Sequence, residues 1–152
     1  MPVPVRRLIG KLTHLSPGEW GALFRAQAAL LTAQIIVWTR PQGRLVSRES
    51  ATATRVTARP EDEARAESLA RAVNRVARYG LFRPRCLVRA IGLRRLLASH
   101  GMDATVRIGV RQRDGTFDAH AWVEFQNMVL GDHEEHTGSF TELPDIQVAK
   151  KR

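Results

Sequence analysis

The apolar residues of this chain change their period once, and that change limits the folds open to it. Up to Gly101 they recur at helical spacing. From Ala104 onward they alternate, with Ala104, Val106, Ile108 and Val110 set between Thr105, Arg107, Gly109 and Arg111. A period of 3.6 followed by a period of 2 predicts helices first and a half-buried antiparallel sheet after them, an α+β arrangement. The 152 residues, 43% of them hydrophobic, can furnish one ordinary core. The expected organisation is an N-terminal helix and irregular segment over residues 1–60 and a core over 61–152, joined as one structural unit.

Ser16-Pro17-Gly18-Glu19 is a capping box with proline at the first helical position, so a helix should start at Pro17. Trp20, Leu23, Phe24, Leu31, Ile35 and Trp38 follow at helical spacing, and Pro41-Gln42-Gly43 should stop the run. Its apolar core from Ala26 to Thr39 is too short to span a bilayer, which predicts no membrane span. That helix should pack on its own domain or offer a docking surface to a partner. Residues 43–60 are small, polar and aperiodic, as in a linker or an irregular crossing segment. Pro60-Glu61-Asp62-Glu63 puts acidic side chains on the positive end of a second helix, striped by Ala66, Leu69, Val73, Val76 and Ala77 and ended by Gly80. Leu87, Ala90, Leu93, Leu96 and Leu97 mark a third, capped by Gly101. Asp114-Gly115 is a hairpin turn and Phe117 to Phe125 the return strand, with Phe117, Ala119, Ala121, Val123 and Phe125 on one face and Asp118, His120, Trp122 and Glu124 on the other; Met128 to Asp132 is a third strand beyond Gln126-Asn127.

Cys86, the chain's one cysteine, falls at the head of the third helix. One cysteine forms no internal disulfide, and no basic-apolar-cleavage pattern opens the chain, so a reducing cytoplasm is the expected compartment. A lone cysteine is commonly a small buried hydrophobe. At a helix start, however, free backbone amides stabilise a thiolate, Arg83 and Arg85 add to the effect, and the same amides can hold an oxyanion. His120, on the polar face of the return strand, is the candidate base, and Asp132 the carboxylate that orients it. Pairing His120 with Asp132 on one face requires a three-residue loop of Phe125, Gln126 and Asn127, or a bulge; a two-residue Gln126-Asn127 turn sends Asp132 to the other face. Asn74 and Arg85 are both candidates for the second oxyanion donor.

Other features point elsewhere. The net charge of +9 invites nucleic acid, a membrane surface or an acidic partner, but the basic residues are scattered and lack the interleaved aromatics that stack bases. No nucleic-acid partner is expected. His133-Glu134-Glu135-His136 has histidines three apart, not the four of the helical zinc-protease motif, and reads as a loop; neither metal nor cofactor is expected. Arg89, Arg94 and Arg95 read as a solvated face. No Walker-type glycine loop argues for ATP binding.

Cys86 heading a helix, then His120-Ala121-Trp122-Val123-Glu124, then Gly131-Asp132 resemble the transglutaminase-like branch of the papain-type fold. Within it, Cys86-Leu87-Val88-Arg89-Ala90, the Leu96-Leu97 helix end and Arg107-Ile108-Gly109-Val110 are most similar to the lasso-peptide leader peptidases, over the stretch from Cys86 to Asp132. The resemblance implies a papain/transglutaminase-like core with N-terminal helices, a nucleophile-bearing helix and an antiparallel sheet. It also implies a cysteine peptidase with Cys86, His120 and Asp132 as triad, acting on a ribosomally made precursor peptide. The first 60 residues leave no room for the winged-helix-like leader-recognition module fused in some relatives. A separate leader-recognition protein and an asparagine-synthetase-like lasso cyclase are the implied partners. Transglutaminase-like acyl transfer and a non-enzymatic basic binding module are the alternatives.

Overall fold

A computed structural model describes residues 16–39 and 59–143 of the chain. Three helices come first: α1 (Pro17–Thr39), α2 (Pro60–Tyr79) and α3 (Cys86–Ala98). Strands β1 (Thr105–Arg113), β2 (Thr116–Phe125) and β3 (Met128–Leu130), a single turn of helix α4 (Glu134–Thr137) and strand β4 (Thr141–Glu142) complete an α+β fold. The antiparallel sheet has the order β3-β2-β1-β4. The expected stop at Pro41-Gln42-Gly43, most of the polar segment 43–60 and the basic residues at both ends lie outside the described residues.

The helix starts follow the local chemistry. Ser16 N–H donates to the Glu19 carboxylate at 2.7 Å, and Glu19 N–H donates back to Ser16 Oγ at 3.3 Å. These reciprocal bonds satisfy amides that have no intrahelical acceptor. At α2 the Arg59 amide donates to Asp62 at 3.3 Å. The C-terminus of α3 closes as Gly101 adopts φ 75°, with Gly101 N–H bonded to Ala98 O and Met102 N–H to Leu97 O.

One apolar core joins the helices to one face of the sheet. Ala66, Leu69, Val73 and Val76 of α2, Leu93, Leu96 and Leu97 of α3, and Val106, Ala121, Val123 and Phe125 of the sheet are buried together. Leu30 of α1 enters the same core, and Ala33 packs with Val88 and Ile91 of α3. Gly92 permits this approach, since a Cβ there would lie 3.0 Å from Leu30 Cδ2.

The structure corrects several expectations. Only part of the alternating stripe of β2 is buried: Phe117 and Ala119 are exposed because the distal end of the β1–β2 hairpin projects past the helices. Trp122, placed by alternation on the polar face, is 5% exposed. At 23 residues, α1 is long and apolar enough, by length and composition, to cross a membrane, contrary to the shorter apolar run read from the sequence. Its Ala26, Leu30 and Ala33 nevertheless pack against protein. The Asp114-Gly115 turn forms as expected, both residues at positive φ with Arg113 opposite Thr116.

Burial of Leu30 makes α1 part of the core's energetics. Leu30→Ala is expected to cost about 2–5 kcal/mol. Urea unfolding should show the lowered midpoint by far-UV circular dichroism and by tryptophan fluorescence alike; an unchanged midpoint would mean that α1 does not share the core.

Candidate active site

Cys86 is the first residue of α3, preceded by Arg85 in extended conformation. The first intrahelical bond is Arg89 N–H to Arg85 O at 3.0 Å. The amides of Cys86, Leu87 and Val88 therefore have no acceptor within the helix, and no side-chain cap bond is made by Arg85. The thiol is free and half-buried at the border of the core. Among the described residues no hydrogen bond joins it to His120.

The turn between β2 and β3 decides how Asp132 reaches His120. Phe125 pairs with Met128, so the turn is the two-residue Gln126-Asn127, at φ 52° and 68°. This corrects the expected three-residue loop, one of two arrangements, the other being a bulge, by which His120 and Asp132 could share a face. With that register a straight strand would carry Asp132 to the face away from His120. The strand is not straight. β3 stops at Leu130 instead of reaching Asp132, because Gly131 takes φ 77° and turns the chain off the sheet. Asp132 swings to the open edge of β2 and accepts a hydrogen bond from His120 Nε2.

Two helices hold that turn. The Gly131 carbonyl accepts from Asn74 Nδ2 of α2 at 2.9 Å and from an Arg89 guanidinium nitrogen of α3 at 3.3 Å. A Cβ on Gly131 would press on Leu93 Cδ2 at 3.3 Å in a conformation that already disfavours side chains. Asn74, a candidate oxyanion donor in the sequence, is thus directed at Gly131. Arg89 and Arg94, read as solvated, are struts, the latter donating to Ala104 O at 3.0 Å; Arg95 is exposed as expected.

The imidazole of His120 is packed on several sides. Trp122 stacks at 6.2 Å between ring centroids, Phe140 lies at 5.3 Å and His136 meets it edge-on at 4.9 Å. Gly109, opposite His120, makes the space: a Cβ there would lie 2.7 Å from Phe140 Cβ and 2.9 Å from Trp122. The sequence offered no sign of Phe140, because the residues after Asp132 have no period, and His136 stood out only as part of a histidine pair set aside as a metal motif. His133-Glu134-Glu135-His136 is a helical turn, not the expected loop, and it turns His136 toward His120.

Burial raises the pKa of Asp132, but the His120 hydrogen bond, the His133 amide at 2.9 Å and the charges of His120 and His136 outweigh it and hold the carboxyl below its ordinary value. Asp132 is therefore anionic across the neutral range. Its contact with Nε2 makes that nitrogen the donor in the neutral ring and leaves the lone pair on Nδ1. An open cleft of ≈ 860 Å³ runs beside Asp132, bounded by Asn74, Arg78, Arg83, Pro84, Arg89 and His133. It runs from Arg83 and Pro84, just before Cys86, to Asp132.

A family profile matches residues 29–145, which takes in most of α1 and every element after it. The chain belongs to the transglutaminase-like superfamily. That superfamily includes cysteine peptidases and acyltransferases. No curated protein and no solved structure matches the chain.

The lowered pKa of Asp132 has a stability consequence with a definite sign. A depressed folded-state pKa contributes stability above the unfolded value of about 3.9, and that contribution is lost as pH falls through the folded value. Asp132→Asn should therefore melt below the wild type at pH 7, and the gap should close as the pH is taken below about 4. Thermal melts of both proteins across that range measure it; a gap independent of pH would contradict the assignment.

Proposed function

We propose that this member of the superfamily is a cysteine peptidase that removes the leader from a ribosomally made lasso-peptide precursor. The observation that carries this reading is the Nε2-bonded His120–Asp132 pair, tied through Gly131 and Arg89 to the first turn of the helix that Cys86 heads. Residues three apart on a helix share a face, so Cys86 stands on the same side of α3 as Arg89, whose side chain reaches the Gly131 carbonyl. The resemblance of the Cys86 to Asp132 stretch to leader peptidases supplies the substrate.

In this mechanism His120 Nδ1 takes the Cys86 proton, and the thiolate attacks the carbonyl carbon at the leader–core junction. The carbon–sulfur bond forms, and the free amides at the start of α3 hold the oxyanion. Collapse breaks the carbon–nitrogen bond as His120 returns the proton to the leaving amine, which becomes the new amino terminus of the core peptide. Water, deprotonated by His120, then attacks the thioester and releases the leader as an acid. Asp132 stabilises the imidazolium formed in each half. Thiol–imidazole contacts are often loose in free enzymes and tighten on substrate, so the reaction begins with closure of Cys86 on His120. A separate leader-recognition protein delivers the precursor, and an ATP-using cyclase consumes the freed amine.

The test is precursor cleavage, followed by mass spectrometry, with the leader-recognition protein present. Wild-type protein should yield free leader acid. Cys86→Ala and His120→Ala should each lower the rate by at least about a hundredfold. Cleavage by Cys86→Ala at the wild-type rate would end the proposal. With a primary amine added, an adduct formed in preference to the acid would point instead to acyl transfer.

A further inference from the structure

His120 and Asp132 are joined by a third group that the hydrolytic reading does not use. His136, exposed on α4, turns toward the pair, and one ligand-type atom from each of His120, Asp132 and His136 lies within 4.8 Å of the others. We propose that these three residues form a binding site for a zinc-type divalent ion. Two imidazole nitrogens and one carboxylate oxygen are a donor set that suits Zn²⁺ and its neighbours in the first transition row, and poorly suits Mg²⁺ or Ca²⁺.

The geometry needs only small movements. Tetrahedral Zn²⁺ with bonds of 2.0–2.1 Å spaces its ligand atoms about 3.3 Å apart. His120 Nε2 and Asp132 are already in contact, so an ion would take the place of the hydrogen-bonded proton between them. The remaining closure falls to His136, whose exposed side chain is the least constrained of the three. The backbone beneath it is fixed, since His136 N–H bonds His133 O at 3.0 Å and the neighbouring Thr137 is buried. The other Asp132 oxygen accepts from the His133 amide, an outer contact that orients a carboxylate ligand. Trp122 and Phe140 supply an apolar wall to the site. Three protein ligands leave a fourth position open.

Two consequences differ in what they rest on. Metal binding stands independently of the reaction proposed above. Inhibition by the bound ion rests on that reading, because a metallated His120 cannot serve as base.

Competition between the tag-free, full-length chain and a chromogenic chelator for Zn²⁺ tests the site directly. The chain should take up one equivalent, without competition from millimolar Mg²⁺. His136→Gln should weaken uptake by at least about tenfold, and so should Asp132→Asn, whereas His133→Gln should leave it within about twofold of wild type. Imidazole NMR resonances of His120 and His136 should shift together on titration, a response that a nonspecific surface ion would not produce. Absence of uptake at tens of micromolar Zn²⁺, wild-type uptake by His136→Gln, or loss in His133→Gln would each overturn the site. Zn²⁺ uptake without the expected slowing of precursor cleavage would leave the site standing and count against His120 as base.

Discussion

The clasp on the Gly131 carbonyl is the contact on which the site depends. A three-stranded pairing with a two-residue turn would carry Asp132 away from His120, and the left-handed Gly131 reverses that outcome. Such a turn at a strand end has little intrinsic reason to persist. Asn74 from α2 and Arg89 from α3 satisfy its carbonyl together, so two helices that are far from β3 in sequence set the position of the carboxylate. The packing of α2 and α3 on Ala121, Val123 and Leu130 therefore has a chemical consequence. It places the donors that hold the turn, and the turn orients the acid that orients the imidazole. Arg89 is the economical element, because it couples that turn to the helix whose first residue is the thiol.

How much of this was legible in the sequence follows from the range of each interaction. Local signals were sufficient for the helix starts, since Ser16 and Glu19 are three residues apart and cap each other. They were also sufficient for the Asp114-Gly115 turn, where both residues tolerate positive φ. The alternation from Ala104 to Phe125 gave the sheet and the helix-then-strand order gave its class. The failures came where a distant partner decides. Arg89 and Asn74 carry no mark that distinguishes a strut from a solvated side chain, because their acceptor lies 42 and 57 residues away. Strand alternation set His120 and Asp132 in conflict, and of the two remedies open to the sequence, a longer loop or a bulge, the longer loop does not form; Gly131 at the end of β3 resolves the conflict instead. A glycine directly before the proposed carboxylate was the available clue.

Helix α1 shows a different limit of pattern reading. Ala26, Leu30 and Ala33 face the core, while Phe24, Ile35 and Trp38 are 70, 58 and 78% exposed. Both faces are apolar, so periodicity alone cannot say which one the protein covers. Small residues decide it here: Ala26 and Ala33 flank Leu30 and, with Gly92 of α3, allow the close approach that a bulkier stripe would forbid.

The histidine at the centre of the site has its two nitrogens in different circumstances, and this division lets one set of residues serve both the proposed proton transfer and the proposed metal binding. Nε2 is committed to Asp132, which makes Nδ1 the basic position in the neutral ring. The proposed proton transfer uses that asymmetry, since a carboxylate in this position stabilises an imidazolium without accepting its proton. A metal ion on Nε2 would reverse the asymmetry, since the ring's proton would then sit on Nδ1, and the ion is one that His136 can also reach. The anionic Asp132 favours either cation, imidazolium or metal. Proton and metal thus compete for the same carboxylate, and the proposed metal site depends on His136, held at the end of a single helical turn.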